Sequence, residues 1–428
     1  MSTRQEETKV AENKFTEHPI SRRAVLQGGS LVGLSAFLVA CGGGGETTAP
    51  GTGGEATPGA TTGGEATEAP SATTPTVTGP LNFANWDAYI DLTETAEGEY
   101  DLPSPTLDEF AQKYSVEVNY GNAEIEDNES FLATIQPQLQ AGVSTGWDLI
   151  VMTDWMAAKI VNAGWAEAID PANVPTVLAN IRDELKGMPW DPDLKYHVPW
   201  QSGATGVGYN AKSTGRDLTS LGDLFDPAFA GKVTLLTETR DTFPLIHRYL
   251  QSQGKASDTP ADEMTAEDAQ VVFDFLKPYV DNGHIRGFTG NEYLQDFGSG
   301  DVWVALVWSG DLASSGGEDD VFVYPTEGSA IWTDNMLIPK GAENKYTAEL
   351  MMDFVYDVDR AARLANFIYY ISPVKGVAEA ITKLDPEAAE NPLLFPPADV
   401  VKLQIPQPDW DEETEKAINE LYATLSGV

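Results

Sequence analysis

Tryptophan, tyrosine and carboxylate side chains recur together in this chain just beyond the ends of apolar, strand-like runs, where α/β proteins expose their working residues. Trp86, Asp87 and Tyr89 follow LNFAN; Thr153, Asp154 and Trp155 follow LIVM; Glu238 and Asp241 follow VTLLT; Trp308 and Asp311 follow VALV. Trp332 and Asp334 sit near the start of IWTDNMLIP, and Tyr369 and Tyr370 close an amphipathic stretch, with hardly a Lys or Arg in the whole set. Aromatic faces attract ammonium groups by about 0.5–2 kcal/mol each and cover methylenes. Carboxylates fix the ends of a cation through charge-assisted hydrogen bonds. The pattern points to capture of a flexible, multiply charged cation. Taken singly, each residue also has a structural reading: Trp86 or Trp155 in a core, Asp154, Asp241 and Asp311 as helix caps, Asp334 as an exposed strand residue. Joint placement at strand ends carries the functional reading. Like charges crowded without a partner are costly, so such a cleft is expected to gape when empty and shut on a cation.

The elements that would position these residues alternate short apolar runs with amphipathic stretches from Leu81 onward, which predicts an α/β architecture with largely parallel sheets. Strands are expected at LNFANW, VEVNYG, residues 147–152, KVTLLT, DVWVALVW, VFVYP and IWTDNMLIP. Helices are expected at residues 107–114, around 130–142, over TDWMAAKIVNAG and MTAEDAQVVFDFLKPYV, and in three C-terminal stretches. Thr153 and Asp154 should cap TDWMAAKIVNAG, with Gly164 closing it. A chain of 428 residues exceeds what one hydrophobic core serves, so two lobes are expected. Residues 203–209 and 331–339 are the expected crossings, because each joins a finished group of elements to a new one.

Acidic residues outnumber basic ones 66 to 26, a formal net charge of −40. That field repels nucleic-acid phosphates and anionic lipid and draws cations into a cleft, so a nucleic-acid partner is not expected. Acidity also suits the solubility of an exported protein. Residues 1–40 read as a targeting segment, with Ser21-Arg22-Arg23 ahead of an apolar run that Gly28, Gly29 and Gly33 interrupt. Ser-Arg-Arg-x-x-Leu, ending at Leu26, resembles the twin-arginine export signal; an ordinary charged secretory n-region is the alternative. The apolar run is too short and too rich in glycine for a stable membrane span. Leu38-Val39-Ala40-Cys41 resembles the lipobox of bacterial lipoproteins, which makes Cys41 the expected lipid attachment and membrane anchor. As the chain's one cysteine, Cys41 leaves the body without disulfides or Cys-based metal sites and nucleophiles. Residues 41–79, rich in Gly, Thr and Pro, read as a flexible tether.

Along the body, from about residue 81 to about 421, the chain resembles the periplasmic spermidine/putrescine-binding receptors of polyamine ABC transporters. Asn85-Trp86-x-x-Tyr89 is similar to that family's Asn-Trp-x-x-Tyr opening, and Glu126-x-Asn128-Glu129 to its Glu-Ser-Asn-Glu loop. Trp147-Asp148-Leu-Ile-Val resembles its Tyr-Asp-Leu-Val-Val strand, residues 199–210 its hinge strand, and Trp332-Thr333-Asp334 with Leu337-x-Pro339 its Trp-Met-Asp-x-Leu-Ala-Ile-Pro. The resemblance implies an α/β, two-lobed type II periplasmic-binding fold, with lobe 1 at 80–200 and 335–403 and lobe 2 at 201–334 and 404–428. It also implies site roles. Trp86, Tyr89, Trp308 and Trp332 would wall the cleft. Thr153 and Trp155 match a Ser and a Tyr, so the hydroxyl is kept at the first and lost at the second. Glu238 and Asp241 match an Asp and a Glu, exchanged in length, and would hold one ammonium end; Asp334 would hold another nearer the middle or far end. Tyr370 matches a Tyr-x-Thr-Pro position, and Gln407 is a candidate on a looser C-terminal match. Asp311 leans toward the putrescine type and Trp332 toward the spermidine type, so the choice among polyamines stays open.

Ferric-ion receptors share this fold and use adjacent tyrosines, and Tyr369-Tyr370 is such a pair; the polyamine-type flanks account for Tyr370 and leave Tyr369 to pack in its helix. A glycoside hydrolase would also suit Trp-lined carboxylates. However, the histidines are scattered, and no G-x-S-x-G, HExxH or P-loop is present. A receptor for an opine or basic amino acid is the serious rival. Its ligand's carboxylate would need an arginine, and Arg240 is the one arginine near the set. The expectation is an exported, non-enzymatic, monomeric lipoprotein without cofactor or metal, whose partners are a polyamine (putrescine, spermidine or spermine), an ABC permease and the membrane through Cys41.

Overall fold

Apolar, β-branched runs bounded by polar turns supply the strands of one large sheet. The computed structural model describes residues 75–94, 100–102 and 104–427; the export signal, Cys41 and the tether up to residue 74 lie outside the described residues. The strands are β1 (Leu81–Trp86), β2 (Val118–Ile125), β3 (Leu149–Thr153), β4 (His197–Asn210), β5 (Val233–Leu236), β6 (Ile285–Thr289), β7 (Val304–Trp308), β8 (Asp320–Val323), β9 (Ala330–Leu337) and β10 (Ile405–Pro406). Their order is β2-β1-β3-β9-β4-β7-β5-β6, with β8 beside β4 and β10 beside β9.

The principal helices are α1 (Pro105–Tyr114), α2 (Asn128–Ala141), α3 (Asp154–Asn162), α4 (Thr239–Ser252), α5 (Ala266–Asp281), α6 (Tyr293–Ser299), α7 (Ser309–Ser315), α8 (Lys345–Val355), α9 (Val358–Ile368) and α10 (Glu412–Ser426). Local chemistry fixes their starts: Asp127 accepts from Ser130 N ahead of α2, Asp357 from Arg360 N ahead of α9, and Asp411 from Thr414 N ahead of α10.

The expected largely parallel sheet is a mixed one. Parallel pairing joins β2-β1-β3 on one side and β7-β5-β6 on the other, and the short β10 also lies parallel to β9. Between them β4 and β9 run antiparallel to each other, β9 also antiparallel to its neighbour β3 and β4 to its neighbour β7. A strand that carries the chain from one half into the other and a second that brings it back must point in opposite directions, so the crossings cannot join a parallel set. The register of β9 against β4 shifts between Asp334 and Asn335.

Side chains alternate across the first half. Phe83, Leu149 and Val151 enter a core with Trp200, Met336 and helices α8 and α9, while Ala84, Ile150 and Met152 enter a second core with α2 and α3. The other half packs β5, β7, α4, α5 and α10 around Leu235, Phe243, Leu276 and Ile418. In both halves the parallel strands end at the junction, and that geometry positions the site.

Candidate ligand-binding site

Each strand that ends at the junction delivers polar or aromatic residues to one cavity of about 560 Å³. Trp86 and Tyr89 follow β1; Thr153 and Trp155 sit where β3 becomes α3; Glu238 and Asp241 open α4; Trp308 and Asp311 join β7 to α7. Trp332 and Asp334 lie within β9, Tyr370 follows α9, and Gln407 follows β10. All of the candidate ligand residues therefore line the same cavity.

Aromatic rings are fixed in place by their polar atoms and by one another. Trp86 Nε1 donates to the Val151 carbonyl at 3.1 Å, Trp332 Nε1 to Thr205 Oγ1 at 3.2 Å, and Trp308 Nε1 to Asp241 Oδ2 at 3.0 Å. Tyr370 packs edge-on against Tyr89 at 5.1 Å and tilted against Trp332 at 5.4 Å. Two glycines make room for it, since a methyl group at Gly203 or Gly310 would collide with the Tyr370 ring. Tyr369 packs against the same core as α9, though from the residue that ends the helix rather than from within it. It ends α9 in the left-handed region, with φ 59°, and so turns the chain that carries Tyr370 into the cavity.

The carboxylates fall into two kinds. Asp311 is fully engaged, receiving Asn291 Nδ2 at 2.6 Å, Tyr293 OH at 2.6 Å and Tyr370 OH at 2.7 Å. Asp241 receives Gln407 Nε2 at 2.8 Å as well as the Trp308 indole. Burial pushes both carboxyls above the ordinary range, against the pull of those donors. Asp334, 4 % exposed, is different: its Oδ1 is buried without a hydrogen-bond partner. Burial pushes this carboxyl up to about 7, with Asp154 and Asp241 adding to the rise and Thr153 and Tyr89 opposing it. Glu238 is likewise raised by burial to about 7; Arg240 opposes the rise and Asp241 and Glu129 add to it.

Two expectations change in detail. The Thr153 hydroxyl does not cap α3; it accepts from Asn128 Nδ2 at 3.0 Å, while Thr153 N donates to Asn128 Oδ1. Asp154, expected with it as a cap, accepts from Asn335 Nδ2 at 2.7 Å. One face of Trp155 is taken by Arg240, whose guanidinium carbon lies 3.5 Å from the ring centroid.

Sequence reasoning passed over Asn291 and Tyr293, which follow β6, and Asn419 and Tyr422 on α10, although Asn291, Asn419 and Tyr422 line the cavity and Tyr293 holds Asp311. The β6 segment IRGFT is short and carries Arg286 and Gly287, so it lacks a clear apolar run; the strand-end rule would have found Asn291 had the strand been recognised.

The family described as bacterial extracellular solute-binding protein matches residues 106–396. The spermidine/putrescine-binding periplasmic protein of Escherichia coli is 26% identical over 325 residues, covering 75% of this chain and 84% of that protein. A spermidine/putrescine ABC transporter structure from Listeria monocytogenes superposes with a TM-score of 0.67 at 22% identity, covering 81% of this chain and 98% of that one. The Tp0655 lipoprotein of Treponema pallidum superposes with a TM-score of 0.64 at 20% identity, covering 81% and 99%. These likenesses bear out the expected two-lobed periplasmic-binding fold of type II.

Proposed function

The chain belongs to the family of bacterial extracellular solute-binding proteins, and from that premise we propose that it captures a polyamine between its lobes and delivers it to an ABC transporter permease. One observation carries the reading: Asp334 is a buried carboxylate with an unpartnered oxygen in a cavity walled by Tyr89, Trp308, Trp332 and Tyr370. A buried carboxylate in that state is costly, and an ammonium group relieves it through a charge-assisted hydrogen bond. The rings cover the methylenes between ammonium groups and attract the charge itself. Glu238, Asp241 and Asp311 supply further negative potential along the cavity, which suits a ligand with more than one positive charge.

The rival ligands fit less well. An opine or amino acid brings a carboxylate, yet the Arg240 guanidinium is already bound to Glu415 Oε1 at 3.1 Å and stacked on Trp155. Ferric ion needs a phenolate, whereas burial and the neighbouring Asp311 push the Tyr370 phenol well above its ordinary value and the hydroxyl donates to that carboxylate. The periplasmic location given for the Escherichia coli relative supports export, and the lipobox-like Leu38-Val39-Ala40-Cys41 supports an anchor at Cys41.

Intrinsic tryptophan fluorescence tests the reading, because Trp86, Trp308 and Trp332 line the cavity. Putrescine, spermidine or spermine is expected to shift the emission saturably in the wild-type protein and by a smaller amount in a Trp308→Phe/Trp332→Phe variant, which keeps Trp86 and Trp155. A wild-type spectrum unmoved by millimolar amounts of all three overturns the cargo.

A further inference from the structure

Arg240 is the one basic residue among the acids, aromatics and amides that line the cavity, and its buried guanidinium is already engaged by other side chains. It stands in the first turn of α4, in the second half of the molecule, yet its guanidinium lies 3.5 Å from the ring centroid of Trp155 on α3, in the first half. Trp410, from its own half, flanks it at 4.9 Å, and Glu415 of α10 accepts its Nη2 at 3.1 Å. One turn along α3 from Trp155, Lys159 reaches across to the same Glu415 oxygen at 3.4 Å. The two halves thus meet through a guanidinium stacked on an indole and an ammonium paired with a carboxylate. Arg240 is 3 % exposed, so the stack is desolvated, which is where such contacts are strongest. Lys159 is about half exposed and contributes less.

We propose that Arg240 is the tongue of a clasp that holds the lobes shut at this end of the cleft and slows the release of a captured solute. The inference rests on the reading of the chain as a receptor that closes on its ligand. The partners are divided in a way that makes the clasp reversible. On opening, Arg240 gives up Trp155 but keeps Trp410 and Glu415, so its charge is not left bare. The same stack takes one face of Trp155 away from the ligand.

A cleft that gapes when empty still samples its closed form, and that closed fraction can be read without any ligand. Spin labels at exposed Val143→Cys, in the first lobe, and Val271→Cys, in the second, in a Cys41→Ser background, report the distance between the lobes of the empty protein. Arg240→Gln and Glu415→Gln are each expected to move the distribution toward longer distances, and Arg240→Lys, which keeps the charge but loses the planar stack, to move it part of the way. In stopped-flow fluorescence, polyamine release from Arg240→Gln is expected to be about tenfold faster or more. Unchanged distances in both Arg240→Gln and Glu415→Gln overturn the clasp, and Glu415→Gln with Arg240→Lys decides it if Arg240→Gln does not fold. A wild-type protein that binds no polyamine but loses lobe closure in these variants contradicts the cargo and leaves the clasp standing.

Discussion

The indole N–H of Trp308 donates to Asp241 at 3.0 Å, so an aromatic wall contributed by the end of β7 and a carboxylate contributed by α4 move as one unit. Gln407 holds the other Asp241 oxygen at 2.8 Å. Asp311 is bound by three donors in the same manner. These two acids are therefore held in place before any ligand arrives, whereas Asp334 keeps an oxygen in reserve. The division assigns them different roles: Asp241 and Asp311 shape the field and the walls, and Asp334 anchors an ammonium.

Asp334→Asn keeps the shape and removes the anchor. Affinity for every polyamine is expected to fall about 10- to 100-fold, the worth of one charge-assisted hydrogen bond. The empty variant should melt a few degrees higher near pH 8, because the buried charge has gone. Thermal denaturation with and without amine checks both, and wild-type affinity in the variant contradicts the anchor role.

Proton linkage follows from the same residue. In the empty protein the folded-state pKa of Asp334 is raised from 3.8 to about 7, so the fold binds this proton more tightly than the unfolded chain does. Stability of the empty protein is therefore expected to fall as pH rises from about 4 through about 7. An ammonium partner favours the carboxylate, so affinity should climb across that window and level off above it. Calorimetry at pH 6 in buffers of different ionisation enthalpy should record proton release on binding; no release means Asp334 is already ionised when empty.

Gly310→Ala tests the seating of Tyr370. The added methyl must displace the ring, at a cost of about 1–3 kcal/mol in stability, and a displaced ring loosens both the wall and its hydrogen bond to Asp311. Polyamine affinity should fall with it. A variant with unchanged melting temperature and affinity shows that the ring is not confined as described.

Much of this site was legible before the fold because strand ends are recognisable from apolar runs and the carboxyl ends of parallel strands converge. Trp86, Thr153, Glu238 and Trp308 were found in that way, and they meet at one cavity. The antiparallel crossing was not foreseen, since an apolar run carries no mark of its direction. Asn291 and Tyr293 escaped because β6 has too little apolar character. The pairing of Arg240 with Glu415, 175 residues apart, has no local signature at all. A hydroxyl such as that of Thr153, beside a helix start, reads as a cap until the position of Asn128 is known.

Cys41→Ser addresses the anchor. Expressed with its own signal, the wild-type chain is expected in the membrane fraction with a palmitate label on Cys41, and the variant in the soluble fraction without it. Equal partition of the two contradicts a lipid attachment at this residue.

Isothermal titration of the purified protein with putrescine, spermidine and spermine tests the central claim most directly. Saturable heat from at least one of them at one ligand per chain, with agmatine or arginine binding more weakly, is the predicted result. No heat from any of the three at millimolar concentration contradicts it.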